Sequence, residues 1–425
     1  MSLVEKEITN NNIEQARNNP EFQKRREREQ TLVASSPELL DAFKPQAMAY
    51  ESTYLSHPDE EFSLRVRASY DDEGAHYSAT LKDAGELVGN VLDRLEISTD
   101  ISEEAYKRYA EDQKFPSVKF LRAEPLPGLS IDFIEGIDTP QVEYESSPGD
   151  RGSDDEPAFV SLLKSGLVDM SGEKSVRKEV IAHSLHGNEA LTPSGETLEA
   201  FAERVFKDMV ATYTLGYKQV VVGLSGMSGS GKSTAVRALQ EQFSETFGNE
   251  FSPIVVSSDD YHRGKKWLES TYGAPWTNWD DPRVYNTAEL AEDIGRLAQG
   301  ESILRKHFDF ASEEVVYDEE ITPAPFVIIE GLYAASKDLT EVRQLHYEVP
   351  TGIATSVGRD VRRLVLENRA NGSISTPEAR LRYQLETALP TYLEQEKPRR
   401  NSRVAYAQPM AERAFMLAKL STRQK

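Results

Sequence analysis

The stretch GLSGMSGSGKST, residues 223–234, has the residue types and the spacing of a phosphate-binding loop. Its pattern is Gly226-x-x-x-x-Gly231-Lys232-Ser233, in which the glycines allow a tight turn whose backbone N–H groups point inward. We expect Lys232 to reach the β and γ phosphates of ATP and the Ser233 hydroxyl to ligate Mg²⁺. The predicted ATP-binding residues are Gly226, Ser228, Gly229, Ser230, Gly231, Lys232, Ser233 and Thr234.

Carboxylates follow two later apolar runs. Asp259 and Asp260 come after Val255 and Val256, and Glu330 follows Ile329. Ligand crevices of open α/β sheets lie at such strand ends, so one aspartate could accept the proton of an acceptor hydroxyl, and Glu330 is suited to Mg²⁺ or its water shell. A lone acid at a strand end is more commonly a helix cap or a solvated residue, and its combination with the phosphate loop favours a site.

The elements around the loop are the ones that would position these groups. Residues 219–224 read as a buried strand, and a helix with one apolar side follows the loop. Further strand-like runs at 253–257 and 326–329 are separated by helical stretches, which predicts an α/β domain with a parallel sheet and helices on both faces. Upstream, apolar residues recur at helical spacing and predict a helix packed on this domain: Leu198, Phe201, Val205, Met209 and Tyr213.

Length and composition limit the function classes. A chain of 425 residues predicts two or three units, and a formal charge of −22 argues against non-specific binding to nucleic acid or anionic membrane. The absence of cysteine excludes disulfides and thiolate sites. No apolar stretch resembles a signal peptide or a membrane span, so we expect a cytoplasmic protein without membrane or nucleic-acid partners.

Between residues 46 and 146, short segments alternate apolar and charged side chains. A strand sends successive side chains to opposite faces, so these segments predict a sheet with one charged face. A solvated face would alternate in the same way, but here the bases come first and the acids last, which favours a site for a metal-bound polyanion. Residues 1–44 are polar, and we assign the mixed-charge run at 24–29 no chemistry.

Residues 218 to about 410 resemble the uridine kinases and their relatives phosphoribulokinase and bacterial pantothenate kinase. The resemblance rests on the loop, on Asp259 to Arg263, on Asn278 to Pro282, on His307 to Phe310 and on Ile329 to Gly331. It implies that Asp259 is the catalytic base, that Arg263 and Asp280 bind the acceptor and that Glu330 is the metal-side acid. The segment from Gly358 to Arg363, followed by Arg369, resembles the family's arginine-bearing lid, and Arg369 is the predicted catalytic arginine there.

The acceptor pocket departs from the uridine kinase pattern. Phe308 and Glu313 stand where that family has a tyrosine and a histidine that contribute to base recognition. A pocket without those hydrogen-bonding groups loses discrimination for a pyrimidine, so kinase chemistry is better supported than uridine as the acceptor. His262 either contacts substrate or packs beside Tyr261.

The earlier segments resemble the CYTH, or triphosphate tunnel metalloenzyme, family over about 100 residues. In that family eight antiparallel strands close into a tunnel that binds triphosphate with Mg²⁺ or Mn²⁺. The resemblance implies two groups of residues. The phosphate-binding group is Arg65, Arg67, Lys82, Arg94, Lys119 and Arg122, and the metal-binding group is Glu51, Glu96, Asp132, Glu143 and Glu145. The opening signature Glu-x-Glu-x-Lys fits best at residues 49–54, where only Glu51 is kept.

These observations predict four regions: a polar arm at 1–44, a CYTH-like antiparallel β tunnel or barrel at 45–146, a linker and helical connector at 147–217, and a P-loop kinase domain at 218–425. The predicted function is phosphoryl transfer from ATP to a small-molecule hydroxyl, with a tunnel that binds triphosphate or polyphosphate and is open to hydrolysing it. The alternatives are an inorganic triphosphatase with a vestigial kinase domain, and a regulatory protein that senses ATP and polyphosphate. The acceptor and any homo-oligomer stay open.

Overall fold

A computed structural model describes residues 24–34, 38, 40–89, 91–146, 167–186, 196–309, 314–366, 374–395 and 419. The chain divides into two compact units, the first formed by Met1–Pro193 with Gly352–Glu386 and the second by Ser194–Thr351 with Thr387–Lys425. Among the described residues, none of the helices is both long enough and apolar enough to cross a membrane.

The first unit is built on a closed antiparallel β barrel. Its strands are β1 Arg26–Ala34, β2 Met48–Tyr54, β3 Phe62–Asp71, β4 Gly74–Asp83, β5 Glu86–Val88, β6 Val91–Asp100, β7 Ser117–Leu126, β8 Leu129–Ile134, β9 Gln141–Ser146 and β10 Leu167–Asp169. The sheet order is β10-β1-β9-β8-β7-β2-β3-β4-β6-β5, and a further pairing of β1 with β6 closes a ring of eight strands. Strands β10 and β5 flank the ring. The predicted tunnel architecture is confirmed.

The strand period of two gives the barrel an inner and an outer face. In register, Arg65 on β3 faces Thr80, Arg67 faces Ser78, and Lys82 on β4 faces Glu96. These polar side chains share the inner face, whereas the intervening Leu64 and Val66 are fully buried on the other side. Charged side chains therefore converge on the barrel interior, where solvent is scarce and each needs a partner.

Within the described part of the chain, four α-helices belong to this unit. They are α1 Glu103–Ala110, α2 Lys178–His186, α7 Ile353–Leu366 and α8 Pro377–Tyr383. Helix α2 packs Ile181 and Ala182 against Tyr54, Phe120 and Ile134.

The second unit is a parallel sheet with helices on both faces, as predicted. Its elements are α3 Leu198–Thr214, β11 Val220–Ser225, α4 Lys232–Phe247, β12 Ile254–Ser257, α5 Lys265–Tyr272, α6 Thr287–Ala298, β13 Ile303–Asp309, β14 Glu314–Ile321, β15 Phe326–Glu330, β16 Leu345–Glu348 and α9 Leu389–Leu393. The sheet order is β12-β15-β11-β16, with all pairings parallel, and β13 with β14 forms a separate antiparallel pair. Helices α3 and α4 pack on one face and α6 on the other.

Two features differ from the sequence expectation. Residues 26–34, which fall within the predicted polar arm, form β1, the strand that closes the barrel. Residues 352–386, which fall within the predicted kinase domain, belong to the first unit. The first difference arises because β1 carries Glu27 and Glu29 toward a polar interior, so the first half of its sequence lacks the apolar face of an ordinary half-buried strand.

Candidate functional site

The phosphate loop lies between β11 and α4 and already has a turned backbone. Gly229 and Gly231 have φ values of 79° and 92°, a region that side-chain-bearing residues rarely adopt. A Cβ on Gly226 would lie 2.5 Å from the Ser230 hydroxyl, so this position also requires glycine. Helix α4 begins at Lys232, and the N–H groups of a helix start together with its dipole favour an anion.

The lysine of the loop is held by the loop itself. Lys232 Nζ donates hydrogen bonds of 3.0 Å to the carbonyl oxygens of Gly226 and Met227. On the other side, the Thr351 hydroxyl donates to the carbonyl oxygen of Ser230 at 2.6 Å. These bonds fix the loop before a phosphate arrives, and the ammonium group stays beside it.

The two predicted acids come together beside this loop. Burial and the neighbouring Glu330 carboxylate raise the pKa of Asp259 to about 6, while the Lys232 ammonium acts in the opposite direction. All three groups therefore interact electrostatically, at the carboxyl ends of β12 and β15. A carboxyl whose pKa lies near 6 is well matched to proton abstraction near neutral pH.

The predicted acceptor side contains a cavity of about 280 Å³. It is lined by Tyr261, His262, Arg263, Trp267, Asn286, Glu289, Lys306, Val315 and Tyr317. Arg263 donates to the Asn286 side-chain oxygen at 3.0 Å and lies 4.7 Å from the centre of the Trp267 ring. Asp280 does not line this cavity. Its carbonyl oxygen accepts a hydrogen bond from the Tyr333 hydroxyl.

His262 packs against Phe308 and also lines the cavity. The two expectations for His262, packing and contact with substrate, therefore do not exclude each other. Its ring centre is 3.9 Å from that of Phe308, and its Nδ1 accepts a hydrogen bond from the Gly264 N–H at 3.0 Å. Burial lowers the pKa of His262 to about 3, so the imidazole is neutral. Glu313 lies outside the described residues.

The predicted lid segment lies in α7, in the first unit. There Arg359 Nε and Arg362 Nη1 pair with the Glu61 carboxylate at 2.7 and 3.0 Å. Arg369 lies outside the described residues.

The barrel interior brings most of the predicted bases and acids together as ion pairs. Lys82 Nζ lies 2.6 Å from Glu27 and 2.8 Å from Glu96. Arg122 makes two hydrogen bonds of 2.7 Å to Asp132 and one of 2.8 Å to Glu143. The Lys82–Glu96 and Arg122–Asp132 contacts join neighbouring strands, whereas Lys82–Glu27 and Arg122–Glu143 each reach past one strand, as side chains on a shared inner face can.

Two arginines of this interior each have a guanidinium nitrogen without a hydrogen-bond partner. Arg65 Nε and Arg67 Nη2 are buried without a hydrogen-bond partner, although Arg67 Nε donates to the Ser52 hydroxyl at 3.1 Å. Burial, together with the Arg65 and Arg122 guanidinium groups, lowers the pKa of Arg67 to about 9. Unpaired buried cations are costly, so an anion bound here would be stabilised strongly.

Three carboxylates form the candidate metal site. Oxygen atoms of Glu27, Glu29 and Glu145 lie within 4.8 Å of one another. Burial raises the pKa of Glu27, whereas the Arg94 and Lys82 charges outweigh burial and lower the pKa of Glu29. Carboxylate oxygens are hard ligands suited to Mg²⁺ or Mn²⁺, and a divalent ion would offset the mutual repulsion of the three groups.

Two predicted tunnel residues lie on the opposite face. Glu51 and Lys119 pair with each other in the register of β2 with β7, and their charged atoms are 3.9 Å apart. The neighbouring Ser52 points to the interior, where it binds Arg67, so Glu51 projects outward. Lys119 is 63% exposed. Neither residue joins the interior cluster, and this corrects their assignment.

Sequence reasoning missed Glu27, Glu29 and Lys178. Glu27 and Glu29 have the spacing of the first two glutamates in the tunnel signature, with Thr31 in the place of its lysine. The signal lies in the alternation of residues 26–30, which by itself also fits a solvated mixed-charge run. Lys178 begins α2 and pairs with Asp132 at 2.6 Å and with Glu143, a contact that local sequence does not reveal.

Comparisons with known proteins agree with this geometry. Residues 221–356 match the Phosphoribulokinase / Uridine kinase family model. A uridine kinase of Halalkalibacterium halodurans is 27% identical over 163 residues, which cover 37% of this chain and 72% of that protein. A uridine kinase of Alkaliphilus metalliredigens is 29% identical over 131 residues, which cover 30% of this chain and 60% of that protein. Inorganic pyrophosphatase TTM2 of Arabidopsis thaliana is 28% identical over 176 residues, which cover 41% of this chain and 23% of that protein.

The chain thus spans less than two thirds of two of these three relatives. The expected combination of a uridine-kinase-like P-loop domain with a tunnel-like barrel is confirmed by the family match, by these relatives and by the closed ring of eight strands.

Proposed function

We propose that the second unit transfers a phosphoryl group from ATP to a hydroxyl of a small molecule. The loop amides and Lys232 hold the triphosphate, and Asp259 accepts the proton that the acceptor hydroxyl releases. The Ser233 hydroxyl and the Glu330 carboxylate are hard oxygen donors that fit Mg²⁺. Bound Mg²⁺ supplies charge neutralisation at the β and γ phosphates.

The observation that carries this proposal is the joint placement of Asp259, Glu330 and Lys232. A loop that only sensed ATP would need the lysine and not a half-buried carboxyl with a pKa near 6. The cavity that adjoins residues 261–263 offers room for a small acceptor. His262 of this lining packs on Phe308, which stands where the uridine kinase pattern has a tyrosine, so the proposed acceptor is not restricted to uridine.

The test is ATP consumption by the full chain with Mg²⁺, screened across nucleosides, pantothenate and sugar phosphates. We expect one acceptor class to be phosphorylated, with the activity lost in Lys232→Ala and in Asp259→Ala. Asp259→Ala should keep ATP binding, since its carboxyl is not needed to hold the triphosphate. ATP binding without turnover of any acceptor would instead favour the alternative of a regulatory protein that senses ATP.

We further propose that the barrel binds triphosphate or polyphosphate with a divalent metal. The orphaned groups of Arg65 and Arg67 support an anion site, and the cluster of Glu27, Glu29 and Glu145 supports a metal site beside it. Glu29 and Glu145 face each other in the register of β1 with β9. Hydrolysis in the barrel is the second candidate function, because both a phosphate-binding and a metal-binding group are present.

The test for the barrel is phosphate release from inorganic triphosphate with Mg²⁺ or Mn²⁺, together with calorimetric binding of triphosphate. Arg65→Ala should abolish both, and Lys119→Ala on the outer face is the matched control that should change neither. Binding without phosphate release would retain the binding proposal and exclude the triphosphatase. Equal loss in both variants would refute the inner-face assignment.

A further inference from the structure

Ser257, the last residue of β12, contacts both acids of the kinase site. It pairs in register with Glu330 on the neighbouring parallel strand β15. Its hydroxyl donates to Glu330 Oε1 at 3.0 Å and accepts a hydrogen bond from the Asp259 N–H at 3.3 Å. A hydroxyl has one donor and two acceptor sites, so both bonds form at once.

This arrangement matters because Asp259 and Glu330 repel each other. The side chain of glutamate has several rotatable bonds, and repulsion from a nearby carboxylate favours rotamers that turn away from the site. The bond from Ser257 holds one oxygen of Glu330 and leaves the other for a metal. The same atom fixes the backbone of Asp259 at the start of the turn that carries it.

We propose that Ser257 is a positioning residue that holds the Glu330 carboxylate and the Asp259 backbone in a fixed relation for metal-assisted phosphoryl transfer. The inference rests on the proposed kinase function and adds a residue that the motifs do not include. Loss of a group that orients a metal ligand typically costs about 10- to 100-fold in metal affinity or activity. We expect a loss of that size for Ser257→Ala.

The competing explanation is that Ser257 only caps the short 3₁₀ helix Ser258–Tyr261. The second unit provides a matched control at Ser336, which caps the 3₁₀ helix Lys337–Thr340 by accepting the Asp338 N–H at 3.3 Å. Among the described residues, the Ser336 hydroxyl makes no hydrogen bond to a carboxylate. Ser336→Ala therefore removes a cap of the same geometry without touching an acid.

The experiment measures kcat, KM for ATP and the Mg²⁺ concentration for half-maximal rate in the full chain, for Ser257→Ala, Ser257→Thr and Ser336→Ala. For Ser257→Ala we expect kcat to fall and the Mg²⁺ requirement to rise, each by about 10-fold or more, with little change in KM for ATP. Ser257→Thr keeps the hydroxyl and should restore both values to within about 3-fold. Thermal unfolding of each variant reports the capping contribution separately.

Equal kinetic behaviour of Ser257→Ala and Ser336→Ala would overturn the proposal. A Ser257→Thr variant that folds but does not restore kcat and the Mg²⁺ requirement would also overturn it. If no acceptor is phosphorylated by the wild-type protein, the proposed function fails, yet the inference is still tested by calorimetric ATP binding at graded Mg²⁺. An increased Mg²⁺ requirement in Ser257→Ala alone would then support Ser257 as the group that orients Glu330. An unchanged requirement would refute it.

Discussion

Replacing Glu179 with glutamine removes a carboxyl that is buried in the first unit. Glu179 is 6% exposed and lies on α2, where it accepts a hydrogen bond from the Ser56 hydroxyl. Burial raises its pKa from 4.5 to about 7, with the hydroxyls of Ser56 and Ser63 acting in the opposite direction and Glu60 in the same one. Glutamine has nearly the same shape and can still accept the bond from Ser56.

The pH dependence of stability follows from the difference between the pKa of Glu179 in the folded and in the unfolded state. The folded state binds this proton more tightly than the unfolded state, so the associated stability is full below about pH 4.5 and is lost as the pH rises through about 7. A rise of the pKa from 4.5 to about 7 corresponds to about 3 kcal/mol. Glu179→Gln lacks this loss, so its stability relative to wild type should rise by about 3 kcal/mol between pH 4.5 and pH 8.

The assay is hydrogen exchange of peptides from α2 and β2, measured in urea at several pH values, because it reports the first unit separately. Glu104→Gln is the control, since the Glu104 side chain is 85% exposed and lies on α1. We expect the stability difference between Glu179→Gln and wild type to grow with pH, and that for Glu104→Gln to stay near zero. A difference for Glu179→Gln that is constant from pH 4.5 to pH 8 would refute the assignment of a raised pKa.

Three further substitutions test the two sites. Asp259→Asn should lower kcat by about 10³-fold because the proton acceptor is lost, and calorimetry should show ATP binding unchanged. Lys232→Ala should weaken ATP binding by about 10-fold or more, measured by the same titration, since we propose that the ammonium group contacts the phosphates. Arg67→Met should weaken triphosphate binding by about 10- to 100-fold, whereas Lys119→Met should leave it unchanged; equal effects would contradict the face assignment.

The parts of the fold that sequence could predict are those set by local pattern. The phosphate loop is one, because strand, glycine turn and helix follow each other within 30 residues and each has its own signal. The alternation of β3 and β4 likewise indicated a charged face. In contrast, β1 carries charges toward an interior that exists only once the barrel has closed, so its partners on β6 and β9 are invisible to a local reading.

The opposite faces of Lys119 and Arg122 on β7 follow from the sequence alone. Lys119 and Arg122 are three positions apart, and a regular strand places residues at odd separations on opposite faces. They could not both line the interior of β7. For Glu51 the face follows only from the register with β3, which sequence did not supply.

Long-range contacts account for the other difference. Helix α7 lies in the chain between the two segments of the second unit but belongs to the first, where Arg359 pairs with Glu61 at a separation of 298 residues. Gly358 allows this approach, because a Cβ there would lie 2.3 Å from the Phe62 ring. Glycine destabilises a helix, so Gly358 can be noticed in the sequence. The contact with Phe62 that requires a glycine at this position appears only in the folded structure.

The ion pairs inside the barrel lead us to expect that metal and anion increase each other's binding affinity. Glu27 and Glu29 are occupied by Lys82 and Arg94, so a divalent ion that takes these carboxylates must displace the two cations from them. Lys82 would then keep Glu96, whereas Arg94 would lose both of these ion pairs, and a phosphate group is the ligand that would replace the lost carboxylates. If the barrel binds both ligands as proposed, we expect the metal to increase the affinity for triphosphate, and by thermodynamic reciprocity triphosphate to increase the affinity for the metal by the same factor.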